Sequence, residues 1–261
     1  MISSKIQLDY LKHRLKAKTR HGVHSPFTYR LVDKIIYDFH AKNVYANIEE
    51  LRSELLLELR RLNMTDSGAG LIVKSKKQKT ISTLARNGLK SAKIAQLIYR
   101  LSEDIRPLNI IELGSSLGIT TAYIAKAAPE ARILLIENCS ETAAIACENL
   151  EKLQIQNTEI FIGDFSELLP NITECISELD LILVNGRHTK EAICDYFQCC
   201  LPKLSERSIM IIDGIYQSKE MKEAWTQIKA QPEVSVTIDL FHIGLLFVKK
   251  GQAKEDFFIR F

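Results

Sequence analysis

The sequence lacks any long uninterrupted run of apolar residues. No part of its 261 residues approaches the roughly 18 consecutive apolar positions that a membrane-spanning helix requires. The opening residues, MISSKIQLD, also lack the apolar segment of a secretory signal peptide. These absences predict a cytoplasmic protein with no membrane segment.

The sequence also lacks a large net charge and lacks the Cys-x-x-Cys motif. The formal net charge of +3 is too small to indicate a nucleic-acid partner by itself. None of the six cysteines stands in a Cys-x-x-Cys pair, and most lie in apolar, helix-like surroundings. A reduced cysteine in such surroundings acts as a small hydrophobic side chain. We therefore expect structural cysteines, without a metal or redox role.

Helical periodicity marks the first part of the chain. Apolar residues recur at helical spacing over residues 6–15 and again over residues 48–62. Between these runs, Ser25 and Pro26 suit the N-cap and first turn of another helix. We predict that residues 1–84 form a helical appendage, or lid, to a larger domain at residues 85–261.

Two polar segments interrupt or follow these helices. Residues 63–70 predict a loop, and we expect the lysine-rich residues 74–79 to be exposed. Basic residues also alternate between Lys12 and Arg20 with almost no acid nearby. Such a segment could contact phosphates, but it has no interleaved aromatic residues on which bases could stack. The simpler interpretation is a solvated helix face, and a nucleic-acid partner is not expected.

From residue 89 onward the pattern changes to alternating helices and strands. After a helix at residues 89–105, which ends before Pro107, five apolar strands are predicted at 109–113, 132–137, 159–163, 181–184 and 208–212. Helices are predicted between or after them at 120–128, 141–153, 167–178, 189–201 and 219–230. Two last strands, 234–240 and 244–249, are too close together for a crossover helix and must pair as an antiparallel hairpin.

This alternation predicts an α/β, Rossmann-like, doubly wound fold. Nearly continuous apolar strands indicate a parallel sheet covered by helices on both faces. Right-handed crossovers then place a ligand crevice at the carboxyl ends of the strands.

The first of these strands leads into a glycine-bearing turn and a helix, NIIELGSSLGITT at residues 109–121. Gly114 and Gly118 allow the backbone to approach a ligand closely at the amino end of the helix that Thr120 opens. The pattern favours a nucleotide-like cofactor. The same turn contributes further candidate binding residues, namely Glu112, Ser115 and Ser116.

Polar residues follow the next four strands and would line the same crevice. They are Glu137, Asp164, Asn185 and Asp213. The Glu137 carboxylate can accept hydrogen bonds from ribose hydroxyls. Asp164 offers a hydrogen-bond acceptor for adenine, and the neighbouring Phe165 offers an aromatic face. Alternatively, Glu137 and Asp164 could simply cap the helices that follow them.

Together these motifs resemble the class I S-adenosylmethionine-dependent methyltransferases over roughly residues 85–261. ELGSSLG at 112–118 is similar to their first glycine motif, LIEN at 135–138 to their acidic ribose-binding strand end, which adds Asn138, and GDF at 163–165 to their adenine-binding turn. The resemblance implies S-adenosylmethionine as the cofactor. It also implies seven strands in the order 3-2-1-4-5-7-6, with the last hairpin antiparallel.

Within that class, LDLILVNGRH at 179–188 is similar to a stretch of the catechol-type small-molecule O-methyltransferases. The appended helices, including HGVHSP at 21–26, look like those of uncharacterised bacterial members. The resemblance implies methylation of a small-molecule acceptor in which Asn185 and His188 take part. A hydroxyl acceptor needs a base, and His188 is the best titratable candidate near neutral pH.

Two departures from the family pattern argue against a metal. Asn185 replaces the usual Asp, and Gly214 stands where many metal-dependent members have Asn or Asp beside Asp213. A divalent cation favours several oxygen ligands that include carboxylates, so we predict no metal site. Beyond the fifth strand, Tyr216 is a candidate for the acceptor pocket and Trp225 for the core. No oligomeric state is indicated.

Other functions remain open at this point. A non-catalytic protein could keep the fold for binding alone, and a methyltransferase could act on RNA through the basic segment from Lys12 to Arg20. The letters GSSLG also fit the Gly-x-Ser-x-Gly of serine hydrolases, with Ser116, Asp213 and His242 in the required order, but the strands that should precede such a nucleophile are missing. A nicotinamide-dependent oxidoreductase is disfavoured because Ser116 and Ile119 depart from its glycine fingerprint.

Overall fold

The computed structural model describes residues 4–64, 67–68, 71–72, 77–186 and 188–261. Helices and short strands make up its amino-terminal part. They are α1 Ser4–Lys16, α2 Pro26–Leu31, α3 Val44–Leu57, β1 Arg61–Met64, β2 Ser67–Gly68, β3 Leu71–Ile72, β4 Lys77–Thr80, α4 Ile81–Gly88 and α5 Ala92–Ile105. A 3₁₀ turn at Arg20–Gly22 precedes α2, and a π-helical turn at Val32–Ile36 follows it.

Strands and helices alternate after α5. They are β5 Asn109–Leu113, α6 Ile119–Ala127, β6 Arg132–Glu137, α7 Ser140–Lys152, β7 Thr158–Ile162, α8 Phe165–Glu174, β8 Leu179–Val184, α9 Lys190–Cys200, β9 Leu204–Asp213, α10 Lys219–Lys229, β10 Val236–Asp239, β11 Ile243–Phe247 and β12 Glu255–Phe258. This succession confirms the predicted α/β fold.

In the described ranges, the central sheet has eight strands in the order β12-β10-β11-β9-β8-β5-β6-β7. Read from β7 to β10, this is the predicted order 3-2-1-4-5-7-6, with β11 antiparallel to both of its neighbours. The predicted count of seven was wrong by one, because β12 adds a parallel edge strand beside β10. With the sequence EDFF, β12 has no continuous apolar run that would mark it as a strand.

Alternate side chains of the sheet enter cores on its two faces. On β5, Ile110 packs in a core shared with the amino-terminal helices, whereas Ile111 and Leu113 pack in a core shared with α8, α9 and α10. Full burial on both faces explains why the central strands have almost uninterrupted apolar sequences.

Several local predictions in the amino-terminal part were wrong. The helical run predicted to reach Leu62 ends at Leu57, and Arg61–Met64 pairs as an antiparallel strand with β4. Tertiary pairing with β4 overrides the helical spacing there. The predicted loop at 63–70 accordingly begins inside β1. Residues 65–66 and 69–70 of that loop, and 73–76 of the lysine-rich segment, lie outside the described residues.

Beyond α4, the largest differences from the predicted helix boundaries are at α5 and α8. The helix expected from Leu89 begins at Ala92, where Ser91 Oγ caps it by accepting from the Ile94 amide, and α8 ends at Glu174. Pro26 begins α2 as predicted. Ser25 occupies its N-cap position without a side-chain capping bond. None of the helices in the described ranges has both the length and the apolar character that crossing a bilayer demands.

Candidate active site

The glycine loop between β5 and α6 is bent at three positions. Gly114, Ser116 and Gly118 all have positive φ angles, of 79°, 54° and 79°. A Cβ atom placed on Gly114 would lie 3.2 Å from the Asn185 carbonyl oxygen, and one placed on Gly118 would lie 3.2 Å from that of Ala146. Glycine at both positions therefore lets the loop pass close to the end of β8 and to α7.

Glu137 fixes the loop from the neighbouring strand β6. Its Oε2 accepts hydrogen bonds from the Ser115 amide and the Ser115 hydroxyl, both at 3.1 Å, and its Oε1 accepts from the Cys139 amide at 3.3 Å. The side chain is buried, so these bonds form in a protected environment. A carboxylate has about four lone-pair positions, which leaves capacity for a further donor.

Asn185 holds the loop from the other side, at the end of β8. Its amide nitrogen donates to Glu112 Oε1 at 2.9 Å and to the Gly114 carbonyl at 2.7 Å. Its own backbone amide donates to Leu113, which extends the pairing of β8 with β5. In the described part of the chain, the buried Asn185 Oδ1 has no hydrogen-bond partner. It is therefore an acceptor that a bound donor group could satisfy.

Glu112 lies beneath the loop and is completely buried. Burial raises its pKa to about 7, although the hydrogen bond from Asn185 and the charge of Lys90 oppose that rise. The carboxyl group is therefore poised between its neutral and ionised forms near neutral pH.

The adenine-side candidates lie at the start of α8. Asp164 Oδ1 accepts hydrogen bonds from the amide and the hydroxyl of Ser166, at 2.8 and 2.5 Å. Asp164 therefore caps α8, which was the alternative role predicted for it. Phe165 follows and is buried. Of the other cofactor candidates, Thr120 lies buried in the first turn of α6, and Asn138 follows Glu137 in the turn before α7.

His188 is enclosed by aromatic rings. Its ring centroid lies 5.8 Å from that of Phe165 and 5.5 Å from that of Tyr196. Its Nε2 atom lies 2.7 Å from the Asn185 carbonyl, an interaction in which Nε2–H donates. Burial lowers the pKa of His188, so the imidazole is neutral at pH 7 and its Nδ1 carries the free lone pair. Arg187, part of the same motif, lies outside the described residues.

Lys90 is a site residue that the sequence interpretation missed. It lies between α4 and α5, and its Nζ forms an ion pair of 2.7 Å with Asp213 Oδ2 at the end of β9. The Lys90 side chain is only 6% exposed. No motif marks this lysine. The only signal in the sequence was Asp213, an acid at the end of a strand whose neighbour ends in the uncharged Asn185. A partly buried carboxylate there needs a positively charged side chain from another part of the chain.

The amino-terminal part also contacts the loop directly. A Cβ atom on Gly88, the last residue of α4, would lie 2.8 Å from Ser116 Oγ. The hydroxyl proposed as a hydrolase nucleophile is thus packed against a helix end. Within the described residues, the Asp213 carboxylate pairs with Lys90 and the Ser116 hydroxyl lies against Gly88, so neither forms a triad with His242.

The two residues predicted beyond β9 have different environments. Trp225 is buried in the core as predicted, and its ring leaves no room for a side chain at Gly244. Tyr216 donates to Asp239 Oδ2 at 2.8 Å and stacks on Phe241. Its assignment to an acceptor pocket stays a prediction.

Comparisons with known proteins agree with this architecture. Residues 111–215 match the family described as a methyltransferase domain. A transmembrane O-methyltransferase homolog of Rattus norvegicus is 33% identical over 97 residues, which are 35% of this chain and 38% of that protein. A catechol O-methyltransferase of Niastella koreensis is 23% identical over 141 residues, 51% of this chain and 63% of that protein. The matches thus span less than two thirds of either relative.

A solved structure shares the fold across most of the chain. The S-adenosylhomocysteine-bound methyltransferase PaMTH1 of Podospora anserina has a TM-score of 0.59 and 13% identity, and the match covers 88% of this chain and 100% of that one. Residues 111–215 thus match a methyltransferase domain, and the solved structure shares the fold of this chain.

Proposed function

We propose that this protein is an S-adenosylmethionine-dependent O-methyltransferase that methylates a hydroxyl group of a small molecule without a divalent cation. The observation that carries the proposal is the glycine loop, which Glu137 and Asn185 hold from the two neighbouring strands. A loop fixed in this way needs no rearrangement before it binds a cofactor, which lowers the free-energy cost of binding.

The residues around the loop fit this cofactor. We assign its binding to the following residues: Glu112, Gly114, Ser115, Ser116, Gly118, Thr120, Glu137, Asn138, Asp164, Phe165 and Asn185. Glu137 has lone pairs left for ribose hydroxyls, and the unpartnered Asn185 Oδ1 suits a donor such as an ammonium group. When bound, the cofactor supplies a methyl group activated by a sulfonium.

We assign proton removal from the acceptor hydroxyl to His188. Its lowered pKa keeps the imidazole neutral, and the bond from Nε2 to the Asn185 carbonyl leaves Nδ1 as the basic atom. Asn185 thereby connects His188 to the glycine loop. Alignment of two bound reactants supplies much of the rate in such a reaction, on the order of 7 to 11 kcal/mol.

The Lys90–Asp213 ion pair supports independence from metal. The buried ammonium already neutralises the carboxylate at the end of β9, where a metal ion would otherwise need it as a ligand. In addition, the described residues contain no cluster of three or more His, Cys, Asp or Glu side chains that could hold a metal. We further propose that residues 1–84 form a lid over the acceptor.

Calorimetric titration with S-adenosylmethionine and S-adenosylhomocysteine tests the cofactor assignment, with NAD as the control ligand. We expect micromolar binding of the first two compounds, the same in EDTA as in Mg²⁺, and none of NAD. Transfer of a radiolabelled methyl group to a panel of catechols and simple phenols then tests the reaction. Binding that requires Mg²⁺ would contradict the metal-independent mechanism, and failure to bind either compound would refute the cofactor assignment.

One observation favours a second candidate, a non-catalytic cofactor-binding protein. The His188 ring is buried between Phe165 and Tyr196, as a purely structural histidine would be. Transfer activity that survives unchanged in His188→Gln would show that this histidine is not the base. Cofactor binding without transfer to any acceptor in the panel would favour the non-catalytic function.

A further inference from the structure

Helix α1 presents an apolar stripe to solvent. Leu8, Leu11 and Leu15 are 52%, 60% and 88% exposed. Their spacing of three and four residues places them on one side of the helix, within about one sixth of its circumference. Isolated exposed leucines are ordinary, but three in a row on one helix form a contiguous apolar surface.

The stripe cannot turn inward, because the opposite side of α1 is anchored. His13 and Ala17 are buried, and the His13 Nε2 atom lies 3.1 Å from the backbone oxygen of Asp239. Asp9 pairs with Lys222 at 2.7 Å, and the Tyr10 ring packs edge-on against Phe241 at 5.0 Å. Within the described residues, α1 therefore cannot turn to bury these leucines, and they stay exposed.

Basic residues flank the stripe. Residues 6–18 contain four, namely Lys12, Arg14, Lys16 and Lys18. The same segment contains one acid, Asp9, whose charge is already paired with Lys222. Lys12, Lys16 and Lys18 are exposed. The surface thus combines an apolar centre with a positively charged border.

We propose that this face of α1 docks onto the surface of a membrane that contains anionic lipids. Leucines that enter the boundary between headgroups and acyl chains leave water, while the basic border meets the lipid phosphates. A second copy of the chain is a poorer occupant, because a symmetric contact would bring two sets of basic residues together. Nucleic acid would match the charges but leave the leucines in water.

Flotation of the 261-residue protein with lipid vesicles tests this proposal. The vesicles are pure phosphatidylcholine, or phosphatidylcholine with about 30 mol% phosphatidylglycerol, a stand-in for an anionic leaflet. We expect the protein to float with the anionic vesicles and only weakly with the neutral ones. Binding to neither kind of vesicle would overturn the proposal.

Paired variants separate the apolar from the electrostatic contribution. Leu11→Ser with Leu15→Ser should lower the partition coefficient by about tenfold or more, since both side chains lose their apolar burial. The matched control is Leu57→Ser with Leu59→Ser, two leucines that are 76% and 74% exposed elsewhere on the surface. Lys12→Glu with Lys16→Glu should abolish the preference for anionic lipid, whereas Lys219→Glu on α10 should not.

Three further outcomes would each refute the membrane assignment. Vesicle binding that the α1 leucine variants leave unchanged would mean that charge alone causes it. A concentration-dependent dimer that those variants dissociate would assign the stripe to a second copy. Salt-sensitive binding of RNA without vesicle binding would assign the basic residues to nucleic acid. S-adenosylmethionine titration of the same variants should give unchanged affinity, so this test does not depend on the proposed enzyme activity.

Discussion

Glu137 holds the glycine loop by accepting two hydrogen bonds from Ser115. We predict that Glu137→Gln weakens S-adenosylmethionine binding by about 1 to 3 kcal/mol, or roughly 5-fold to 150-fold, because an amide accepts fewer hydrogen bonds from Ser115 and from ribose hydroxyls. Calorimetry measures the change. Glu130→Gln, at an exposed acid, is the matched control. Wild-type affinity in Glu137→Gln would remove Glu137 from the binding site.

The Lys90–Asp213 pair makes a prediction about stability. Lys90→Met should lower the free energy of unfolding by about 2 to 4 kcal/mol, because it leaves the half-buried Asp213 carboxylate without its cation. Adding Asp213→Asn should recover part of that loss. Urea unfolding of the four proteins in this double-mutant cycle gives the coupling energy.

A surface ion pair provides the comparison for Lys90. Arg132 and Glu159 pair at 2.6 Å, and their side chains are 51% and 48% exposed. Arg132→Met should therefore cost no more than about 1 kcal/mol. Equal losses in Lys90→Met and Arg132→Met would show that burial adds nothing to the Lys90 pair.

Glu112 should make the stability of the protein depend on pH. Its pKa is raised from 4.5 to about 7 by burial, so the folded state holds a proton that the unfolded state releases between these values. The contribution of Glu112 to the free energy of unfolding is thus complete below pH 4.5 and is lost as the pH rises to about 7. Glu112→Gln still accepts a hydrogen bond from Asn185 but does not ionise, so this loss should not occur in the variant.

The measurement for Glu112 is a comparison of unfolding free energies across pH. Relative to the wild type, Glu112→Gln should gain up to about 3 kcal/mol between pH 4.5 and pH 8, the equivalent of the pKa shift. Urea unfolding at several pH values gives this difference directly. A difference that does not change with pH would mean that Glu112 ionises normally when buried.

At the scale of elements, the junction between the glycine loop and α6 depends on Gly118. Gly118→Ala should lower stability by about 2 to 3 kcal/mol, because alanine at φ +79° is strained and its Cβ would crowd the Ala146 backbone. Gly251→Ala is a control with a φ of +70° and no atom within 4 Å of the new Cβ. It should cost only about 1 kcal/mol. Similar melting temperatures for the two variants would contradict close packing of the loop on α7.

The elements differ in how well their sequences predicted them. Most of the buried strands were predicted to within two residues, because full burial on both faces demands apolar residues throughout, but β9 begins at Leu204, four residues before its predicted start. Strands β5 and β6, at Asn109–Leu113 and Arg132–Glu137, have the predicted limits. In contrast, β1 was predicted as the end of a helix and the start of a loop, because its structure depends on pairing with Lys77–Thr80 rather than on its own residues.

For the molecule as a whole, the sequence predicted which residues lie together at the carboxyl ends of the strands. It did not predict the hydrogen bonds and the ion pair that position them. Glu137, Asn185 and the glycine loop were expected together because carboxyl ends of neighbouring parallel strands share one edge of a sheet. Lys90 was not, because its position depends on how α4 and α5 pack against that edge. The hydrogen bonds from the glycine loop to Glu137 and from Asn185 to the loop were also not predicted, because they join residues that are distant in the sequence.

The chain's two ends are held together across the sheet edge, and Asp239 is central to that contact. The buried Asp239 carboxylate accepts from the Tyr216 hydroxyl and the Phe241 amide, and it lies 3.1 Å from His13 Nε2 on α1. The Lys18 amide also donates to the Phe258 carbonyl at the end of β12. Release of α1 should therefore be the first consequence when the Asp239 contacts are lost.

Limited trypsin digestion can detect this release. Asp239→Ala should direct the first cleavage to the basic residues between Lys12 and Arg20, because α1 separates while the sheet, with its own cores on both faces, stays folded. Asp195→Ala, at an exposed acid on α9, is the control and should leave the digestion pattern unchanged. First cuts elsewhere in Asp239→Ala would show that the carboxylate supports the whole fold rather than the docking of α1. The same variant with an unaltered pattern would show that the apolar contacts of Tyr10 and Ala17 are sufficient to hold the helix.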